Sequence, residues 1–244
     1  IPKNLRIGKP AVIKKETTIN DNSSPSLLKQ TSEQKKAVAD ILKYENSFHG
    51  FLLHGVTGSG KTEVYLSITE WLLKKGKQVL VLVPEIGLTP QMIVRFEERI
   101  KDKVVAVHSQ LNETQKQDAY LMAKSGKAKV ILGTRSAIFT PIPKLGLVIV
   151  DEEHDGSFKQ QSNFRYSARD LSFMRAKLAN IPLILGTATP SLETLKNVVD
   201  QKLTRLVLSS RPGGATLPEI NLIDMRSQAS EALSIPLVSK MEHY

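Results

Sequence analysis

The run Gly55-Val56-Thr57-Gly58-Ser59-Gly60-Lys61-Thr62 fits the pattern G-x-x-x-x-G-K-[ST]. It follows the apolar residues Phe51-Leu52-Leu53 and precedes Tyr65, Ile68 and Leu72 at helical spacing, the strand, loop and helix setting that a phosphate-binding loop requires. Glycines there let successive backbone N–H groups turn inward around phosphate oxygens, and the helix N-terminus adds its positive dipole end. Lys61 would then reach the β- and γ-phosphates while the Thr62 hydroxyl ligates Mg2+. The plainer reading, a glycine-rich turn that merely packs tightly, is disfavoured by the matching flanks.

Such a loop needs a carboxylate from a neighbouring strand end to hold the magnesium. Leu147-Val148-Ile149-Val150-Asp151-Glu152 supplies an apolar run ending in two acids. Asp151 would bind Mg2+ through water, and Glu152 would orient and deprotonate the attacking water. Taken alone, two acids at the end of a buried strand could simply mark where it meets solvent. With a phosphate loop upstream, the catalytic reading takes precedence.

These side chains need a frame. Short β-branched or Leu-rich runs at 51–53, 78–83, 104–107, 129–132, 147–150 and 183–185 alternate with helical patterns, which predicts a parallel sheet in an α/β fold. Thr31-Ser32-Glu33-Gln34 matches a capping box and opens the ordered part of the chain. Gly76 and Gly126 close helices, Thr89-Pro90 opens one, and Ser167-x-x-Asp170 opens another.

The acids belong to a longer pattern. Asp151-Glu152-Glu153-His154 resembles the DExH box of superfamily 2 helicases, and Gly186-Thr187-Ala188-Thr189-Pro190-Ser191 is similar to motif III of that superfamily. Taken with 55–65, Val-Pro-Glu-Ile-Gly-Leu-Thr-Pro-Gln at 83–91, Gly-Thr-Arg-Ser-Ala at 133–137 and the segment 151–161, the chain from about Leu28 to Leu208 resembles the PriA family of replication-restart DNA helicases. The resemblance implies a RecA-like ATP-binding lobe with a central, mostly parallel sheet flanked by helices. It also implies ATP-dependent 3′ to 5′ translocation on single-stranded DNA at stalled or forked replication structures. The partners it implies are single-strand-binding protein and the proteins of the primosome that load the replicative helicase. Thr134 and Arg135 occupy positions where it implies contact with DNA phosphates, as do residues 84–90, although strand-end loops are ordinarily polar. His154 is expected to bridge the nucleotide and DNA sites through Thr187 or Thr189. Gln34 resembles the glutamine that reads the adenine edge, and it equally closes its own capping box.

Four of the chain's seven Phe, five Tyr and one Trp fall within 158–173, namely Phe158, Phe164, Tyr166 and Phe173, with Lys159, Arg165 and Arg169 between them. Aromatic faces stack on bases while basic side chains hold phosphates, so Phe158, Lys159, Phe164, Arg165 and Tyr166 are candidate DNA contacts. This segment is similar to the aromatic-rich loop of the PriA and RecQ families. Burial in the core is the competing role for the aromatics, and the preferred one for Phe173.

Composition sets the boundaries. The 244 residues contain no Cys and carry 34 Lys and Arg against 24 Asp and Glu, a net charge of +10. Disulfide scaffolds and thiolate metal sites are thereby excluded, and a polyanionic partner is favoured. No apolar stretch approaches the roughly 18 residues of a membrane span, so a cytoplasmic, nucleoid-associated protein is expected. Residues 1–30 read as a basic linker or the tail of an upstream domain, 31–210 as the ATP-binding lobe, and 211–244 as the start of a connection to a second motor lobe. Ile1 in place of Met, and an end that reads as mid-helix, suggest a segment of a longer chain. The arginines that complete the ATP site in the family, and its zinc module, would lie in the missing part, so this segment alone is expected to turn over ATP poorly. The alternatives are another superfamily 2 DNA translocase, and a nucleotide-switched DNA-binding module without motor activity.

Overall fold

The computed structural model describes residues 30–85, 90–100 and 102–210. The expectations for 1–29, for 86–89 within the proposed DNA contacts, and for 211–244 lie outside the described residues.

Helix α1 (Ser32–Leu42) starts at a complete capping box. The Thr31 hydroxyl accepts from Gln34 N at 3.2 Å, and Gln34 Oε1 accepts from Thr31 N at 2.9 Å. Strand β1 (Gly50–Gly55) then feeds helix α2 (Lys61–Lys74) through the glycine loop. Gly76, at φ +73°, stops α2: its N–H bonds Leu73 O at 2.9 Å, and Lys77 N bonds Leu72 O at 3.1 Å. That left-handed turn is the reason a glycine sits there.

The chain continues through β2 (Gln78–Leu82), α3 (Pro90–Arg99), β3 (Val104–Val107), α4 (Glu113–Lys124), β4 (Val130–Gly133) and β5 (Leu145–Asp151). A small antiparallel hairpin of β6 (Lys159–Gln160) and β7 (Tyr166–Ser167) leads into α5 (Ala168–Ala179). Ser167 caps that helix by accepting from Asp170 N at 3.2 Å. Then follow β8 (Leu183–Thr187), α6 (Leu192–Val199) and β9 (Thr204–Leu208). The predicted runs match six of these strands to within a few residues. The hairpin, α6 and β9 were not anticipated: β9 exposes Thr204, Arg205 and Val207 along one edge of the sheet and so lacks a continuous apolar signature.

Seven strands form one sheet in the order β3-β4-β2-β5-β8-β1-β9, every neighbouring pair parallel. Its central strands are buried on both faces, as sheets covered by helices on two sides require. Phe51, Leu53, Val79, Val81, Leu147, Ile149 and Ile184 pack on the face of α1, α2 and α3. Their alternate neighbours Leu52, Leu80, Leu82, Val148, Val150, Leu183 and Leu185 pack beneath α4 and α5. Because the two faces alternate residue by residue, a one-residue slip of any central strand would exchange the two sets. This register fixes which loops emerge together at the carboxyl ends of β1, β5 and β8.

Candidate active site

Chemistry in an open parallel sheet gathers outside the carboxyl ends of its strands. Here the glycine loop follows β1 and the acidic box follows β5, and both were expected on neighbouring strand ends. Instead β8 lies between them. Two side chains of α2 cross that gap. Lys61 Nζ, on a residue only 9% exposed, donates to Gly55 O at 3.1 Å and lies 3.5 Å from Glu152 Oε1. The hydroxyl of fully buried Tyr65 donates to Asp151 Oδ1 at 2.9 Å. Passage is possible because β8 presents Gly186 opposite Asp151: a Cβ there would lie 1.6 Å from the Tyr65 oxygen.

The loop itself turns on Gly58 and Gly60, at φ +80° and +83°, values that cost an L side chain dearly and a glycine nothing. Gly55 is constrained differently, since a Cβ would meet Ser59 Oγ at 2.4 Å and Lys61 Cγ at 3.3 Å. Val56, Thr57 and Gly58 are exposed at its tip, while Ser59 is buried. Thr62, half-buried in the first turn of α2, follows the lysine. Gln34 ties α1 to this loop, its Nε2 donating to Ser59 O at 2.9 Å while Oε1 closes the capping box. Both ends of the amide are therefore engaged, and an adenine contact would have to exchange one of them.

Glu152 adopts φ +47°, a left-handed conformation rare for a glutamate and of the kind that concentrates at functional sites. It turns the acid out of the strand toward Lys61, while Glu153 N continues the strand's direction by donating to Gly186 O at 3.1 Å. His154 Nδ1 lies 2.8 Å from Thr187 Oγ1 and 3.7 Å from Glu152 Oε2, with Thr189 Oγ1 at 3.4 to 3.5 Å from the ring nitrogens. Thr187 Oγ1 also accepts from Thr189 N at 3.0 Å. Glu152, His154, Thr187 and Thr189 thus form one contiguous polar chain.

Burial pushes the Asp151 carboxyl up from its ordinary value, opposed by the Tyr65 hydrogen bond, with the charge of Glu152 adding to the rise and that of Lys61 lowering it. Burial, reinforced by Asp151, pushes the Tyr65 phenol well up. Desolvation outweighs the Tyr65 hydroxyl and the Glu152 backbone hydrogen bond at this half-buried carboxylate, which favours a cation beside it. Among the described residues no group of three or more His, Cys, Asp or Glu could hold a metal alone. The oxygen donors of Thr62 and Asp151 suit Mg2+, which binds through few protein ligands and completes its shell with phosphates and water.

A second region lies beside the box. A cleft of about 320 Å³ is lined by Glu85, Arg135, Gln160, Phe164 and Tyr166 among others. Arg135 Nη1 donates to Ser157 O at 3.0 Å and Lys159 O at 3.1 Å, binding the turn after β4 to the aromatic segment. Thr134 also lines the cleft but is only 6% exposed. Phe164 is 73% exposed, Lys159 and Arg165 are exposed, and Tyr166 is half-buried with its ring 5.0 Å from that of Phe139 and 5.8 Å from that of Phe164. Phe158 departs from its expectation as a stacking aromatic. Asp155 caps the turn at 156–158, its Oδ1 accepting from Ser157 N at 2.7 Å, and Phe158 is left 1% exposed in the core beneath α5. Phe173 packs partly buried against the same cluster, the core role preferred for it.

Sequence reasoning passed over Tyr65, Glu153 and Phe139. Tyr65 looked like one more apolar helix position; the only signal was a hydroxyl on that stripe facing a strand that carries a glycine, Gly186.

The DEAD/DEAH box helicase family matches residues 31–198, and the chain belongs to that family, with its general use of a nucleotide and magnesium. The fold agrees, being a RecA-like lobe similar to that of RecG bound to a three-way DNA junction, with a TM-score of 0.57 at 24% identity over 77% of this chain and 25% of that one. The DNA-bound helicase MrfA aligns with a TM-score of 0.53 at 14% identity, over 74% of this chain and 26% of that one. Within the family the sequence is similar to the replication restart protein PriA. It is 47% identical to the Haemophilus influenzae protein over 86% of this chain and 29% of that one, and 47% identical to that of Synechocystis over 88% and 26%. Against PriA of Bacillus subtilis it is 41% identical, over 87% and 27%. The chain therefore spans less than a third of the length of these curated relatives. No helix among the described residues is long and apolar enough to cross a membrane.

Proposed function

We propose that this chain is the ATP-binding motor lobe of a DNA helicase that restarts replication at stalled or forked structures, moving 3′ to 5′ on single-stranded DNA. The observation that carries the reading is the 3.5 Å approach of Lys61 to Glu152 across β8, with Asp151 held beside them by Tyr65.

In this reading the backbone of 55–60 cradles the phosphates of ATP, and Lys61 neutralises charge on the β- and γ-phosphates. Thr62 and Asp151 hold Mg2+, which neutralises charge on the phosphate oxygens when bound. Glu152 orients the attacking water and takes its proton as the new oxygen bond to the γ-phosphorus forms and the bond to the β–γ bridging oxygen breaks, with ADP as the leaving group. Fixing that carboxylate in a strained backbone position before substrate arrives contributes to catalysis by positioning. His154, Thr187 and Thr189 carry the state of the site toward DNA. Thr134, Arg135, Lys159 and Arg165 make sequence-blind phosphate contacts, and Phe164 and Tyr166 stack on bases.

By family likeness the whole protein acts in the bacterial cytoplasm at the nucleoid, with single-strand-binding protein and primosome and helicase-loading proteins as partners. Residues 1–30 are a basic linker or the tail of an upstream domain, and 211–244 are the start of a connection from this lobe, 31–210, to a second motor lobe. A second lobe supplies the remaining ATP-site arginines, and a zinc module lies outside this chain. The isolated lobe therefore binds Mg·ATP weakly and turns it over slowly.

The test is ATP turnover with and without forked DNA, on this lobe and on the full-length protein. DNA-stimulated turnover in the longer chain, lost in Glu152→Gln, is the expected result. Nucleotide binding without stimulated turnover would identify a nucleotide-switched DNA-binding module. Turnover unchanged in Glu152→Gln would remove it as the base.

A further inference from the structure

Helix α5 carries two stripes. Ala168, Ser172 and Ala176 are buried against the sheet, the inner face that a helix in this layer needs. Leu171, Met174 and Leu178 recur at i, i+3 and i+7 on another side, where Met174 is 60% and Leu178 85% exposed. Single apolar side chains in water are ordinary. These are grouped: they form one wall of a cleft of about 880 Å³ whose other wall is the segment 138–145, with Phe139, itself 52% exposed, and the nearly buried Ile142 and Leu145. A contiguous apolar surface of this kind marks a place of association.

The two walls are fixed before anything enters. Arg175, between Met174 and Leu178, donates from Nη2 to Thr140 O at 2.6 Å and from Nη1 to Ile138 O, which sets the spacing of α5 from the facing segment. The amino-end rim is cationic. Lys75 is engaged there, 2.5 Å from Glu45 and with Nζ 4.8 Å from the centre of the Trp71 ring, but Lys77 and Lys144 line the same cleft. They belong to a row, because Lys103, Lys129, Lys77 and Lys144 stand immediately before β3, β4, β2 and β5, which are consecutive in the sheet. Lys129 N donates to Lys103 O at 2.9 Å, and Gln78 N to Lys144 O at 2.7 Å. At the usual strand spacing the row is about 14 Å long.

We propose that this cleft docks an amphipathic α-helix of a separate protein, its apolar stripe seated on Leu171, Met174, Leu178 and Phe139 and its flanking carboxylates facing Lys77 and Lys144. The i, i+3, i+7 stripe of α5 is the spacing at which one helix packs along another, and a preformed wall spares the ordering cost that weakens adaptable surfaces. Charge supplies the selection, since the lysine row draws an acidic partner and repels a basic one. Residues 1–30 of this chain, with six basic residues against two acidic ones, have the wrong sign for it. Nucleic acid has the right sign, but a phosphate backbone offers nothing to seat on Met174 and Leu178. The cleft opens at the amino ends of β2 and β5, the opposite end of the sheet from the glycine loop and the acidic box, so a docked helix leaves the ATP site uncovered. The inference goes beyond the motor function proposed above and does not depend on it.

The experiment measures, by fluorescence anisotropy without nucleotide or DNA, binding to the full-length protein of a labelled peptide with Leu at i, i+3 and i+7 and Glu beside them. About 20 residues suffice for such a peptide to hold a helix in water. Saturable binding is expected, weakened about tenfold or more in Leu178→Glu, whose exposed position leaves the melting temperature near that of the wild type. Lys77→Glu combined with Lys144→Glu should lose the Glu peptide and gain one with Lys in the same places. Absence of binding would overturn the proposal, as would equal binding of a peptide of the same composition in scrambled order, because charge alone would then account for it. Should Leu178→Glu unfold, the charge exchange decides, and an unchanged preference for the Glu peptide would overturn the proposal. Loss of duplex DNA binding, rather than of peptide binding, in the Lys77 and Lys144 variant would assign the lysines to nucleic acid and overturn it as well. Failure of the motor reading shows instead in ATP turnover and leaves this measurement untouched.

Discussion

Tyr65 and Asp151 lie eighty-six positions apart in sequence and 2.9 Å apart in space, their hydrogen bond running through the room that Gly186 leaves in β8. The phosphate-loop helix thus holds the carboxylate directly, and the glycine in the intervening strand is what lets it. Tyr65→Phe should leave the fold standing, because the ring still fills the core, but should free Asp151 to move. Removing a hydrogen bond to a charged group costs about 1.5–3 kcal/mol. We expect a higher Mg2+ concentration for half-maximal binding of a fluorescent ATP analogue, with little change in metal-free affinity. Gly186→Ala should be worse than Tyr65→Phe in thermal stability, and Gly186→Ala combined with Tyr65→Phe should recover part of that loss.

Asp151 illustrates a site maintained at the expense of stability. Its folded-state pKa is raised, chiefly by burial, so the folded state binds the proton more tightly than the unfolded chain does. The penalty is absent below the unfolded value, develops as pH rises toward the folded one, and is complete above it. Asp151→Asn should therefore raise Tm at neutral pH without magnesium nucleotide, by about 2–4 °C if the gain is of order 1 kcal/mol. The gain should shrink as pH falls through the carboxyl range, and a Tm difference independent of pH would contradict this account.

At the β9 edge of the sheet, Glu33 in the first turn of α1 accepts hydrogen bonds from the backbone and hydroxyl groups of Ser209 and Ser210, just past β9. These bonds, that of the Ser209 hydroxyl foremost, hold its carboxyl below the usual value. A depressed carboxylate contributes stability that is present above its unfolded pKa and lost as pH falls through the folded one. Protection of the amides of 209 and 210, measured against the intrinsic exchange rate at each pH, should fall on acidification, and Glu33→Gln should show the lower protection already at neutral pH. Equal exchange in the two proteins would mean that Glu33 does not anchor the end of β9.

How much of this was legible beforehand depends on what kind of signal each element leaves. The strands buried on both faces announce themselves as continuous apolar runs, and the Thr31–Gln34 and Ser167–Asp170 caps are short-range patterns with a local cause. Edge strand β9 leaves no such run. The glycine loop and the acidic box are readable because phosphate chemistry restricts both residue type and spacing. Tyr65 and Glu153 were opaque because their contacts exist only through strand order. That β8 would separate β1 from β5, and that Gly186 would face Asp151, is set by long-range pairing that local periodicity does not encode.

The aromatic segment separates packing from binding most sharply. Phe158 and Phe164 are six positions apart, flanked by similar polar residues, and sequence treats them alike; Asp155 turns the first into the core and leaves the second on the hairpin loop. Phe158→Ala should therefore cost about 3–5 kcal/mol of stability, the range for truncating a buried phenylalanine, and weaken DNA binding only through that loss. Phe164→Ala should change stability by no more than about 0.5 kcal/mol, as exposed substitutions do, while weakening single-stranded DNA binding by about 1–3 kcal/mol if it stacks on a base. Salt separates the two kinds of contact further. Arg165→Ala should flatten the dependence of affinity on salt concentration, because fewer counterions are released, and Phe164→Ala should lower affinity by a similar factor at every salt concentration. Chemical denaturation paired with anisotropy titrations of a labelled oligo-dT reads both quantities. The assignment fails if Phe164→Ala loses stability and keeps its affinity, because Phe164 would then be packed and the cleft beside Arg135 would lack its stacking surface.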